Sequence, residues 1–226
     1  MQARDSEFGR FTILLAALAS FMCVLPFVSG SETGIIVLRI GTSLLLLAAV
    51  YSVSERRWHF ILAIVLALPA VAAQMAPALL GEQGTLMVRL GASSVFLAYI
   101  AILISVFLLK QDRVSADMIL GGINVYLLFS IGFMFLHAFV EVSIPGSYLY
   151  QGESLSAVFK GHPEIEVLAF MLYFSVVTLT TLGYGDIAPA VPAARMLCSL
   201  EAVIGQLFVA VFIARLVALH IGHRSR

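Results

Sequence analysis

Long apolar stretches separated by short polar loops dominate the chain. A membrane-spanning helix needs about 20 consecutive, mostly apolar residues. Six runs meet or approach this length: Phe11–Ser29, Ile35–Val53, Phe60–Leu80, Leu86–Leu109, Met118–Val140 and Ala193–His220. The third run contains Pro69 and Pro77, which predict a kinked or short helix because proline interrupts helical hydrogen bonding.

A seventh apolar run, Ile165–Leu179, is too short to cross a membrane and leads directly into a glycine-containing loop. Pro163 and the two glutamates that follow it are typical of a helix N-terminus. We therefore expect a re-entrant helix, whose negative end points toward the membrane centre. The pattern as a whole predicts an all-α membrane protein with six transmembrane helices and one re-entrant helix.

The composition agrees with a membrane location and excludes several functions. The chain is 61% hydrophobic and 12% charged, whereas soluble domains average about 25% charged residues. Its 13 basic and 13 acidic residues balance, so no basic excess indicates nucleic acid binding. No metal-protease, phosphate-loop or Ser/His/Asp pattern indicates an enzyme or a cofactor. Cys23 and Cys198 lie singly in apolar runs, where we expect two buried thiols rather than a disulfide or metal site.

The loop TTLGYGDIAP, residues 180–189, has a spacing suited to binding a dehydrated cation. Successive carbonyls point the same way only if alternate residues adopt left-handed angles, which glycine does at little cost. Gly183 and Gly185 are two apart, so the carbonyls of Thr181, Leu182, Gly183 and Tyr184 can line an axis with the Thr181 hydroxyl below them. One loop supplies a quarter of each carbonyl ring, which predicts a homotetramer.

These residues resemble the pore of the potassium channel family, whose selectivity filter carries the signature TVGYG. The resemblance extends from about Met118 to His220 and implies a K⁺-selective channel in which K⁺ is the permeant ion and no cofactor is needed. It implies that Asp186 lies just outside the filter, that the Tyr184 ring wedges the filter from behind and that Thr178 lies behind the filter. Gly205 corresponds to the hinge glycine of the inner helix, with close helix packing as the alternative.

The chain departs from the family pattern at three positions. Leu182 replaces the usual valine, but its carbonyl would still coordinate the ion. Tyr173 and Phe174 replace a pair of tryptophans that clamp the filter in many members. The Tyr173 hydroxyl would then have to supply the clamping hydrogen bond.

Polar residues in the last spans predict further contacts. Glu201 lies within the final span, where an ionised carboxylate costs about 2.5–3.5 kcal/mol, so it should face protein or water. We expect it to accept hydrogen bonds from the back of the predicted re-entrant helix at residues 165–179 (the pore helix) or to meet His137, which shares a helix face with Glu141. This site is either a strut or a proton-sensitive element behind the filter, or a structural hydrogen bond with no role in gating. Gln206 begins a stripe that continues through Val209 and Ile213, and that either faces the cavity or packs between helices.

The layout of six spans with the pore last is similar to that of voltage-gated channels. Residues 1–110 are therefore predicted to form a voltage-sensor-like scaffold, and residues 111–226 a pore domain. The fourth span carries only Arg89, at its outer end, instead of repeated arginines, so we expect little voltage dependence. Arg39 is expected to snorkel or to be paired.

The distribution of basic residues predicts that both termini are cytoplasmic in the cell membrane. Eight basic residues would lie inside and four outside: Arg4, Arg10, Arg56, Arg57, Lys110, Arg113, Arg224 and Arg226 against Lys160, Arg39, Arg89 and Arg195. Only six residues follow His220, so no soluble regulatory domain is expected there. The first run is an alternative candidate for a cleaved signal peptide, although it is longer than usual. Alternatives for function are a weakly selective cation channel and a secondary cation transporter.

Overall fold

The computed structural model describes residues 5–28, 32–53, 57–73, 77–159 and 164–224, and helices make up most of this part of the chain. In chain order these are α1 (Asp5–Val28), α2 (Glu32–Ser52), α3 (Arg57–Ala72), α4 (Pro77–Leu109), α5 (Ala116–Ser143), α6 (Leu155–Val158), α7 (Glu164–Leu179) and α8 (Pro192–Arg224). The predicted all-α membrane class is confirmed. Within these residues, five helices are long and apolar enough to cross a membrane, namely α1, α2, α4, α5 and α8.

The third predicted span is the one whose helix is shorter than a membrane crossing needs. Helix α3 has 16 residues, and Pro77, predicted to lie inside this run, instead opens α4. Proline cannot donate the next helical hydrogen bond but is tolerated in a first turn. The expectation of a short third helix is confirmed, and the predicted end at Leu80 was wrong.

Helix α4 starts nine residues before the predicted Leu86, and it contains a break at Gly81, where φ is 69°. This left-handed angle is open to glycine at little cost. The apolar pattern alone gave no sign that the short piece before Gly81 would also be helical.

Helix α4 packs antiparallel along the whole of α5. Gly91 lies against Phe139, Gly132 against Leu97, and Gly121 against Leu108. Helix α1 also meets α5, where the buried side chain of Asn124 donates a hydrogen bond to the Phe11 carbonyl at 2.9 Å. The first four helices and α5 therefore share one apolar core. The division of the chain into two functional units near residue 110 stays a prediction.

The buried face of α1 explains why one cysteine prediction was wrong. Leu14, Leu18, Phe21 and Leu25 recur at helical spacing and are buried. Cys23 lies on the opposite face and is exposed, so its surroundings would be lipid rather than protein. Cys198 is only partly buried.

A small antiparallel sheet, absent from the sequence-based prediction, joins the segments on either side of α7. Strand β1 (Tyr148–Tyr150) lies between β2 (Glu153–Ser154) and β3 (Ile187–Pro189), with Leu149 opposite Ala188. Strand β3 directly follows the predicted filter. The sheet therefore ties that loop to the segment after α5.

Candidate functional site

The last turn of α7 is hydrogen-bonded to the first residues of the glycine loop. The short helix predicted at residues 165–179 is confirmed, with Glu164–Leu179 observed, and its re-entrant path stays a prediction. Pro163, proposed as its N-terminal signal, lies outside the described residues. After Leu179, the amide of Thr181 donates to the Thr178 carbonyl at 3.0 Å, and that of Leu182 donates to the Val177 carbonyl at 2.9 Å. The first loop residues are thus fixed to the last turn of the helix.

The backbone of the loop alternates in hand. Positive φ angles occur at Thr181 (58°), Gly183 (59°) and Gly185 (81°). Every second residue is therefore left-handed, which is the geometry needed to direct successive carbonyls toward one axis. A Cβ built on either glycine meets nothing within 4 Å in the chain, so the backbone angle rather than space explains why glycine is required.

Thr181 is the residue that the glycine argument missed. A β-branched side chain at positive φ is strained by about 1–3 kcal/mol. Its hydroxyl lies 3.4 Å from the side-chain nitrogen of Gln206 on α8. The alternation that Gly183 and Gly185 define, extended back by two residues, would have identified it.

The residues flanking the loop also interact with each other. The Tyr173 hydroxyl donates a 2.7 Å hydrogen bond to Asp186 Oδ2. The Tyr173 ring stacks on that of Tyr184, with centroids 6.4 Å apart and an interplanar angle of 7°. One tyrosine of α7 therefore contacts both Tyr184 and Asp186 of the loop.

Phe174, the second departure from the family pattern, fills an aromatic cluster instead of donating a hydrogen bond. Its ring lies edge to face on His137, with centroids 5.1 Å apart, and on Tyr148 at 5.4 Å. Such aromatic pairs stabilise by about 0.5–1.5 kcal/mol beyond area burial. Val177, one turn later, is buried, and Thr178 is half-buried.

Glu201 lies at the centre of a buried polar network behind the pore helix. Its Oε2 is 2.7 Å from His137 Nε2, and its Oε1 is 2.5 Å from Ser175 Oγ. Both predicted partners, His137 and the back of the pore helix, are confirmed. The network continues from Ser175 to the Ser130 carbonyl at 2.7 Å and from His137 Nδ1 to the Tyr148 hydroxyl at 2.7 Å.

Ser175 and Tyr148 were not singled out from the sequence. A serine within an apolar re-entrant helix is the one signal that pointed to Ser175. Tyr148 lies in β1, outside the spans, and burial raises its pKa above the usual value for a tyrosine. The Tyr148 phenol therefore keeps its proton and can donate it.

The second buried glutamate, Glu141, has different partners. Its two oxygens accept hydrogen bonds from the backbone amides of Gly146 and Tyr148, each at 3.0 Å. This carboxylate closes the turn between α5 and β1. His137 and Glu141 lie on the same face of α5 but have different partners. His137 contacts the Glu201 carboxyl group on α8, whereas the Glu141 carboxylate binds the backbone of the turn after α5.

Gly205 is a point of close contact between α8 and the end of the pore helix. A Cβ built on it would lie 2.5 Å from the Leu179 carbonyl oxygen and 2.9 Å from Leu179 Cδ1. That carbonyl also accepts a 3.3 Å hydrogen bond from the Tyr126 hydroxyl. The geometry supports the packing alternative at this position, and hinging stays a prediction.

The remaining predicted positions lie on exposed faces, with one exception. In the single chain, Val209 and Ile213 are exposed on α8, as is Arg39 on α2. Arg89 was expected at an outer interface, but its side chain is buried within the helices. On the fourth helix, Arg89, Ser93 and Ser94 pack inward against the bundle, which an apolar count along one helix does not reveal.

Part of this chain is similar to known ion channels. A family model described as "Ion channel" matches residues 123–220, from the middle of α5 to near the end of α8. "Two pore potassium channel c" of Oryza sativa subsp. japonica is 36% identical over 86 residues, which is 38% of this chain and 18% of the rice protein. The chain thus matches less than a fifth of the length of that relative.

Proposed function

We propose that four copies of this chain surround one K⁺-selective pore. The proposal starts from the match of residues 123–220 to the "Ion channel" family model and from the 36% identity over 86 residues to the rice two pore potassium channel. The chain is a passive ion channel of the membrane rather than an enzyme. The carbonyls of Thr181, Leu182, Gly183 and Tyr184, with the Thr181 hydroxyl, bind K⁺ in place of its water shell.

The alternating left-handed angles at Thr181, Gly183 and Gly185 are the observation that carries this proposal. An ordinary glycine turn requires one such residue, or two in succession. Three of them at a spacing of two, directly after a short apolar helix, produce a row of carbonyls on one side of the backbone. The negative end of α7 faces the same region and adds an attractive potential for a cation.

Assembly into a tetramer is supported by the apolar surface that is exposed on the single chain. Leu182 and Tyr184 are 56% and 67% exposed in the single chain. In the single chain, only 6% of the apolar span of α8 is buried, against 56% of the apolar span of α5. Three further copies around the loop would cover these side chains and complete the carbonyl rings.

Selectivity for K⁺ is favoured over weak cation selectivity by the supports on both ends of the loop. Tyr173 holds Asp186 on the outer side, and the Leu182 amide is bonded to the pore helix on the inner side. No comparable observation favours a secondary transporter. Both termini lie in the cytoplasm in this proposal, and the membrane is the cell membrane.

The test uses purified protein in liposomes, with K⁺ flux compared with Na⁺ flux. Gly183→Ala should abolish selective flux, because a Cβ disfavours the left-handed angle by about 1–2 kcal/mol in every subunit. Gly152→Ala is the matched control, since Gly152 also has a positive φ (89°) and open space around it but lies in the β1–β2 turn.

Native mass measurement of the same sample should give four copies. Unchanged K⁺ over Na⁺ permeability in Gly183→Ala would contradict the filter assignment. A conducting monomer or dimer would contradict the assembly.

A further inference from the structure

The network around Glu201 contains four contacts of hydrogen-bond length in a row. They join the Ser130 carbonyl to Ser175, Ser175 to Glu201, Glu201 to His137, and His137 to Tyr148, at 2.5–2.7 Å. The side chains of His137 and Glu201 are 0% exposed. Each contact needs one proton between its two atoms, because two lone pairs at that distance repel.

If Glu201 and His137 form an ion pair, the available protons do not fall one to each contact. The Ser175 hydroxyl has a single proton, yet its oxygen lies within reach of both the Ser130 carbonyl and the carboxylate, so one contact has none. At the other end, the imidazolium donates from Nδ1 to the Tyr148 oxygen. The Tyr148 proton then has no acceptor among the described residues, although burial keeps that phenol protonated.

Moving one proton from His137 to Glu201 satisfies every contact without changing the total. The Glu201 acid donates to Ser175, and Ser175 donates to the Ser130 carbonyl. Tyr148 donates to His137 Nδ1, and His137 Nε2–H donates to the second oxygen of Glu201. Four protons then serve four contacts, and no charge is buried.

We propose that Glu201 is a protonated carboxylic acid at neutral pH, and that this acid is the hydrogen-bond donor that holds α8 to the pore helix. An uncharged network avoids the desolvation cost of a buried ion pair. The other titratable groups that face it are Glu141 and Tyr126 on α5, Tyr148 on β1 and Cys198 on α8. None of these carries a positive charge that would favour a carboxylate.

This protonation links the filter to pH. Loss of the proton leaves a carboxylate oxygen facing Ser175, whose hydroxyl must turn toward it and release the Ser130 carbonyl. The Ser175–Ser130 hydrogen bond between α7 and α5 is then lost behind the filter in every subunit. K⁺ flux should therefore fall in alkaline medium once the network gives up this proton.

The matched substitutions Glu201→Gln and Glu141→Gln test the assignment. A glutamine at 201 supplies the same donor and acceptor as the neutral acid, so thermal stability and flux should be retained and the alkaline loss of flux should disappear. A glutamine at 141 turns its amide donors toward the backbone N–H groups of Gly146 or Tyr148. Glu141→Gln should therefore lower the thermal midpoint of the purified protein.

Infrared spectroscopy gives a readout that does not depend on conduction. The wild-type protein at neutral pH should show the carbonyl band of a buried carboxylic acid, shifted in Ser175→Ala and absent in Glu201→Gln. Absence of such a band, or a Glu201→Gln protein that unfolds as easily as Glu141→Gln or does not fold, would show that Glu201 is ionised and overturn the proposal. Failure of the channel proposal would leave the band and the unfolding measurements valid.

Discussion

The contact between Gly205 and Leu179 predicts that a single methyl group on α8 destabilises the pore. In Gly205→Ala, the new Cβ would lie 2.5 Å from the Leu179 carbonyl oxygen, a backbone atom at the entrance to the filter that cannot move away alone. Overpacking of this kind costs about 1–3 kcal/mol. Alanine also improves helix propensity by about 1 kcal/mol over glycine, which partly hides the cost.

Gly132→Ala isolates the packing cost. Gly132 is also buried in a long helix, but its added Cβ would lie 3.6 Å from Leu97, an ordinary contact. Because both variants gain the same helix propensity, the difference between them should equal the overpacking cost, about 1–3 kcal/mol per subunit in favour of Gly132→Ala.

Thermal unfolding of the two variants in the same detergent, followed by flux in liposomes, measures this difference. Gly205→Ala should unfold at the lower temperature and should disturb ion selectivity through Leu179. Equal stability of the two variants would refute the close-packing argument. Equal stability combined with altered opening in Gly205→Ala alone would instead support the hinge prediction.

Two further predictions concern the edge of the filter and the membrane field. Tyr173→Phe removes the hydrogen bond to Asp186 and should destabilise the loop by about 1 kcal/mol per subunit. The same flux assay should then show lower K⁺ over Na⁺ selectivity than wild type. Unchanged selectivity would show that the loop is held without this bond. Conductance should be nearly independent of voltage between about −100 and +100 mV, and Arg89→Gln should change this voltage dependence little. One charge crossing the field in each of four subunits would contribute up to about 9 kcal/mol at 100 mV. A steep opening curve that flattens in Arg89→Gln would therefore identify Arg89 as a voltage sensor.

The chain order of apolar runs and glycines determined the membrane class, the short apolar helix after Glu164 and the loop that we propose as the filter. These features depend on local properties. About 20 apolar residues must span a bilayer, a short run cannot, and glycine alone takes left-handed angles without strain. Gly183 and Gly185 carry this information by their spacing, with no knowledge of what lies around them.

Tertiary structure decided which of the remaining residues meet. His137, Ser175 and Glu201 come from three different helices. Each is a polar residue in an apolar run and therefore needs a partner, but the order of residues along the chain does not show that these three meet. The proton count follows only from the distances between them. The contact of Gly205 with Leu179 likewise depends on how α8 packs against the end of α7, because packing between distant segments has no periodic pattern in the sequence.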